Sequence, residues 1–117
     1  MKFAGLALIL GLMFSLSEVN IAHASDCGLP PKGAPSVPDG ATANDDQIRI
    51  AIRAVQEYGT LVQRYLNCMQ LKQDDFFLNM NTEQRERWNE DFNALADLLT
   101  DIETRLNEEI RIFNRRS

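Results

Sequence analysis

The sequence predicts an all-α protein, an antiparallel two-helix hairpin with an extended Pro-rich N-terminal arm tied on by a disulfide. Three observations lead to this fold class. Apolar residues recur at alternating spacings of three and four in two long segments, which is typical of helices that pack along one stripe. All four prolines fall within residues 25–44, and the chain has two cysteines, Cys27 and Cys68.

Residues 1–24 have the layout of a secretory signal peptide. Lys2 gives a positive start, Phe3–Phe14 is an uncharged apolar run of 12 residues, and small residues precede a cleavage site after Ala24. The run is shorter than the about 20 residues that span a bilayer. We therefore expect export to the periplasm, cleavage after Ala24, and no stable membrane insertion afterwards.

The composition after cleavage argues against several classes of function. Removing residues 1–24 leaves 11 basic and 16 acidic residues, a net charge of −5 that would repel a nucleic-acid backbone. His23, the only histidine, leaves with the signal peptide, and with it the usual imidazole for acid–base catalysis or zinc binding. The sequence contains no CxxC motif, Gly-rich phosphate loop or nucleophile elbow. We expect no nucleic-acid partner, no cofactor, no metal and no catalytic residue.

Residues 25–44 predict an extended arm. They contain four prolines and three glycines, a density that rules out a regular helix or an interior strand. Within the arm, the run Pro38–Gly40 predicts a turn, because proline fixes φ, aspartate favours the bend, and glycine tolerates positive φ.

The helical hairpin is predicted for residues 45–117, with the first helix at 45–72. Asn44 followed by Gln47 resembles a capping box. The main apolar stripe consists of Ile48, Ala51, Val55, Tyr58, Val62, Tyr65 and Met69. A second seam, Ala54, Leu61 and Cys68, falls to one side of this stripe, so we expect another part of the chain to cover it.

The second helix is predicted at residues 82–114. The segment 72–81 interrupts the regular spacing of apolar residues and is predicted to connect the two helices. Asn81 and Gln84 then repeat the capping-box pattern of Asn44 and Gln47. The second stripe consists of Trp88, Phe92, Leu95, Leu99, Ile102 and Leu106. Because the link is short, the two helices should be antiparallel neighbours.

We interpret Cys27 and Cys68 as a disulfide pair, as expected for two cysteines in an exported chain. The 18 residues from Cys27 to Asp45 can reach about 56 Å at the polyproline rise, whereas Asp45 to Cys68 spans about 35 Å of helix. The arm can therefore turn at Pro38–Gly40 and run back along the second seam. A reactive thiol or an intermolecular bridge is the alternative, and Asp26 directly before Cys27 argues against lipidation.

The segment Phe76–Met80 allows two interpretations. It could be an apolar tip for a partner, a client or a membrane surface. It could instead be a plug that closes the end of the hairpin core, since Phe76 lies seven residues after Met69, and we favour the plug. The candidate partner-binding residues are Phe76, Phe77, Leu78, Met80 and Trp88.

The chain resembles small exported helical proteins of proteobacteria that have no assigned role. The shared pieces are the early cysteine, a Pro-rich arm with P-D-G-A (Val37–Ala43 here), a helix with Y-L-x-C (Tyr65–Cys68), and a second helix that opens at Met80–Gln84. The last piece is also similar to the LTxxQ motif of periplasmic chaperones and stress sensors, with Met80 and Asn81 in place of Leu and Thr. Neither resemblance assigns an activity to this chain.

The sequence therefore favours a non-catalytic periplasmic interaction or structural module that acts through a helical surface. A periplasmic chaperone or envelope-stress factor that binds unfolded clients is the alternative, and an enzyme comes third. We expect a protein partner whose identity the sequence does not give. A homodimer through the Trp88 and Phe92 side is a further alternative, because two helices and an arm make a thin core.

Overall fold

The computed structural model describes residues 27–116, and this part of the chain forms two α-helices and no strand. Helix α1 spans Asp45–Phe77 and helix α2 spans Thr82–Arg116. The helices pack against each other along their length, and each is about 50 Å long at 1.5 Å per residue. The predicted antiparallel hairpin is confirmed. The predicted signal peptide and its cleavage site lie outside the described residues.

Both helices begin with a reciprocal cap. The Asn44 N–H donates to Gln47 Oε1 at 2.9 Å, and the Gln47 N–H donates to Asn44 Oδ1 at 2.8 Å. The same exchange joins Asn81 and Gln84 at 3.0 and 2.8 Å. These bonds satisfy backbone donors that have no partner within the helix. Helices α1 and α2 accordingly start at the predicted residues.

Helix α1 ends five residues later than predicted, so only Leu78–Asn81 connect the helices. The segment that was expected to be a loop from residue 72 is helical because its end is stabilised from the other helix. Arg85 of α2 donates from Nε and Nη2 to the Phe77 carbonyl oxygen, at 3.0 and 2.6 Å. Its guanidinium also lies 5.8 Å from the centre of the Phe77 ring. Helix α2 runs two residues beyond the predicted end.

The buried core lies away from the connection. We call the end of the hairpin at Leu78–Asn81 the tip, and the end where α1 begins and α2 finishes the base. The core cluster is formed by Ala51, Val55, Tyr58, Val62, Leu99, Ile102 and Leu106, all from the predicted stripes. Nearer the tip, Trp88, Phe92 and Leu95 of the second stripe are only half-buried. The hairpin is therefore more tightly packed toward its base than at its tip.

The arm returns along the hairpin and ends in the predicted disulfide. Cys27 and Cys68 are bonded, with their Cα atoms 5.7 Å apart. Val37 packs against the core cluster, and Val37 and Pro38 lie beside Arg105 of α2. Because the middle of the arm lies on the α2 side, the second seam of α1 is covered only in part. Leu61 remains 49 % exposed.

The turn at residues 39–43 docks onto the end of α2. The Gly40 N–H donates to Glu109 Oε1 at 2.8 Å. Arg116 donates to the carbonyl oxygens of Gly40 and Ala43, at 3.0 and 2.7 Å. Gly40 is buried, and a Cβ at this position would overlap the main-chain carbonyl of Glu109. Only glycine lets the two backbones approach this closely, so this contact fixes the arm at the base.

Candidate functional site

An apolar groove of about 830 Å³ lies between the helices at the tip. We call it the tip groove. Its α1 wall is formed by Tyr65, Met69 and Phe76. Met69 is buried and forms the floor, whereas Tyr65 and Phe76 are half-buried. The groove falls within the size range of ligand pockets in proteins, about 300 to 1,000 Å³.

The opposite wall belongs to α2. Trp88, Leu95 and Leu98 line this side, and Leu98 is 40 % exposed. The small side chain of Ala94 leaves open space between these larger residues. A surface of this kind, apolar and in contact with solvent, is typical of a site at which another molecule binds.

The third wall comes from the arm. Gly28, Leu29 and Pro30 line the groove directly after Cys27, and Leu29 is 70 % exposed. The disulfide to Cys68 holds this short segment against α1. The groove therefore depends on a covalent bond as well as on helix packing.

Aromatic contacts support the end of the groove nearest the connection. The Phe76 and Trp88 rings meet edge to face, with centroids 5.3 Å apart. Phe77 contacts Trp88 in the same manner at 6.3 Å. Such pairs stabilise packing by about 0.5–1.5 kcal/mol beyond the burial of their area. Trp88 of α2 is thus held against the end of α1 while it also lines the groove.

The groove carries little polar character. Among the described residues that line it, Asp91 is the one with a charge, and Tyr65 and Asn79 are uncharged polar residues. Burial raises the pKa of the Tyr65 hydroxyl, and the nearby Asp91 carboxylate raises it further. The hydroxyl therefore stays protonated at physiological pH. Within residues 27–116, no group of three or more His, Cys, Asp or Glu side chains could hold a metal ion.

The structure separates the candidate partner-binding residues into two sets. Phe76, Met80 and Trp88 line the tip groove, and Phe77 packs on Trp88 from the side. Leu78 lies outside the groove and is 81 % exposed. Phe76 and Trp88 contact each other, as the plug interpretation requires. Both residues also line the open groove, as the binding interpretation requires. The two interpretations are therefore compatible.

The sequence did not indicate several residues that line the groove, among them Leu29 of the arm and Leu95 and Leu98 of α2. Leu98 lies next to the stripe residue Leu99 and outside the alternating pattern, and Leu29 lies in a Pro-rich segment. A search for exposed leucines beside a stripe could have found Leu98. The position of Leu29 depends on the disulfide between Cys27 and Cys68, so the residues around Leu29 in the sequence do not predict it.

Comparisons with protein-family models, curated proteins and solved structures find no match for this chain. Within residues 27–116, neither helix is long and apolar enough to cross a membrane.

Proposed function

We propose that this chain is a non-catalytic interaction module of the periplasm that binds a protein partner through the tip groove. The open apolar groove is the observation that carries the proposal. Three separate segments, α1, α2 and the arm, converge to form it. The predicted signal peptide and the disulfide support a periplasmic location, since disulfides persist in oxidising compartments.

The side chains that line the groove favour a binding role over a catalytic one. Its lining is rich in aromatic and aliphatic side chains such as Trp88, Met69 and Leu95, with one carboxylate at Asp91. Aromatic residues and methionine are enriched in the centres of protein interfaces. A groove with these residues can bind apolar side chains without any chemical step.

Site-specific photo-crosslinking in living cells tests this proposal. A photoreactive amino acid replaces Leu98 in the full chain, and we expect ultraviolet light to join the protein to a partner through this position. The matched control replaces Leu71, which is 82 % exposed and does not line the groove. Adducts of equal yield at both positions, or none at Leu98, would contradict a groove-specific partner.

Exposed leucines outside the groove favour the alternative role as a chaperone. Leu71 and Leu78 are exposed apolar residues outside the groove, and together with it they could contact unfolded clients at several points. If this role is correct, the protein should suppress aggregation of an unfolded client at a near-stoichiometric ratio. Light scattering of a heat-denatured model protein measures this, and unchanged aggregation would exclude the chaperone role.

A further inference from the structure

The negative charge of the chain is concentrated in the part of the hairpin that contains the tip groove. Residues 68–98 contain seven acidic and three basic residues, which gives a net charge of −4 out of −5 for the whole chain. The three basic side chains of this segment all interact within the chain. Arg87 pairs with Glu83 at 2.9 Å, and Arg85 binds the Phe77 carbonyl. The part of the hairpin that contains the apolar groove therefore carries an excess of carboxylates, and one of them, Asp91, lines the groove.

The dimensions of the groove favour a helical segment. Along α1 the lining runs from Tyr65 to Phe76, a separation of 11 residues that corresponds to about 16 Å, or three helical turns. The groove lies between two helices, where a third helix can place apolar residues at spacings of three and four. A segment of about 11 residues would extend along its whole length.

From this charge and shape we propose that the partner contributes a basic amphipathic helix, whose apolar face binds the tip groove and whose Lys or Arg side chains face Asp91 and the surrounding carboxylates. This inference rests on the proposed function and specifies its partner class. Electrostatic complementarity of this kind speeds association and selects among partners more than it raises affinity.

Two other occupants fit the charge less well. A second copy of this chain in a symmetric dimer would bring the same surface to the groove, and each tip would then face another tip with a net charge of −4. An anionic bilayer surface would repel the tip in the same way. Only a cationic occupant gains from the acidic surroundings.

Peptide binding to the oxidised protein, purified from cells that express the full chain, tests the inference. The probe is an amphipathic helical peptide of about 14 residues, with Leu on one face, Lys on the other, and no Trp. Trp88 is the only tryptophan of the chain and lines the groove, so its fluorescence reports occupancy directly. We expect a saturable change that weakens as NaCl rises from about 0.05 to about 0.5 M.

Matched variants locate the binding surface. Leu98→Ser should weaken binding of the Lys peptide by about fivefold or more, while Leu71→Ser should leave it unchanged. Asp91→Asn should weaken binding by about two- to fivefold. Asp97→Asn removes the same charge outside the groove lining and should have a smaller effect. Circular dichroism melts of each variant check that the fold is retained.

A peptide with Glu in place of Lys decides whether charge matters. Affinity at least about fivefold weaker than that of the Lys peptide supports the inference. Equal affinity for both peptides would overturn it and leave the groove as a charge-independent site, so the proposed function would still stand. Sedimentation experiments test for a dimer. If the protein is a dimer and Leu98→Ser dissociates it, a second copy occupies the groove and the inference is wrong. Failure of both peptides together with no crosslink at Leu98 would overturn both proposals.

Discussion

Replacing Cys27 and Cys68 together with alanine is expected to lower the free energy of unfolding by about 4 kcal/mol. The disulfide joins residues with a sequence separation of 41, so it removes much of the conformational freedom of the unfolded chain. A small domain has a total stability of about 5–15 kcal/mol. The loss of this bond should therefore be one of the largest effects that any simple change can produce.

The folded state loses contacts as well. Between the disulfide and Val37 most of the arm is exposed, so little besides the bond holds its first residues against the helices. Without the bond, Gly28–Pro30 should leave the tip groove and increase the exposure of Trp88 to water. Urea unfolding followed by circular dichroism and Trp88 fluorescence measures both effects. The parent protein under reducing conditions should match the double variant, and a stability change below about 1 kcal/mol would contradict this account.

Gly40→Ala is expected to destabilise the protein by about 2–3 kcal/mol. The added Cβ would overlap the Glu109 carbonyl and stand 3.1 Å from the Phe113 backbone nitrogen. Both obstacles belong to the backbone of α2, which cannot move as a side chain can. The turn must therefore lift away, which weakens the hydrogen bonds that Gly40 makes with Glu109 and Arg116. Thermal and urea unfolding measure the change.

The matched control makes the same substitution at Gly59, which is also buried. Its added Cβ would lie 3.6 Å from Leu99 Cδ1, an ordinary van der Waals distance. Because glycine costs about 0.5–1 kcal/mol relative to alanine inside a helix, Gly59→Ala should stabilise the protein by about that amount. Opposite signs at the two positions support the docked turn. A neutral Gly40→Ala would show that the turn does not need this close approach.

Much of this fold could be predicted because it follows local rules. Apolar residues in Ile48–Met69 recur at alternating spacings of three and four, which predicts a helix with one buried face. The structure buries that face. The Asn44 and Asn81 caps are visible as short motifs with their glutamines three residues later. The pairing of Cys27 with Cys68 follows from there being two cysteines and from a reach that the arm length allows.

The end of α1 could not be predicted in this way. Asp74 and Asp75 lie near a helix C-terminus, where negative charge is unfavourable, and the last turn of α1 as described contains no basic residue. The missing positive charge comes from Arg85, which lies beyond the connection and belongs to the other helix. Local sequence therefore indicated an earlier end because the stabilising group is a tertiary contact.

The groove was also beyond a local prediction. Phe76 and Met80 are candidates because they belong to one apolar segment, and Trp88 because it lies on the second stripe, but the opening between the helices arises from how the whole hairpin packs. Leu29 reaches the groove only because of a bond to a residue in the middle of α1. The spacing of apolar residues in the sequence predicts neither the width of the opening between the helices nor the position of the arm.

The uneven packing of the hairpin has a consequence for how the molecule moves. The base is joined by the buried core and by the contacts of Gly40 and Arg116, whereas the tip has half-buried side chains and an open groove. Regions with few buried apolar contacts open at a lower free energy than the rest of a protein. The tip should therefore fluctuate more than the base, within the limit that the short connection Leu78–Asn81 sets. Small changes in the spacing of the helices along the groove would let it adapt to a bound ligand while the base keeps the fold intact.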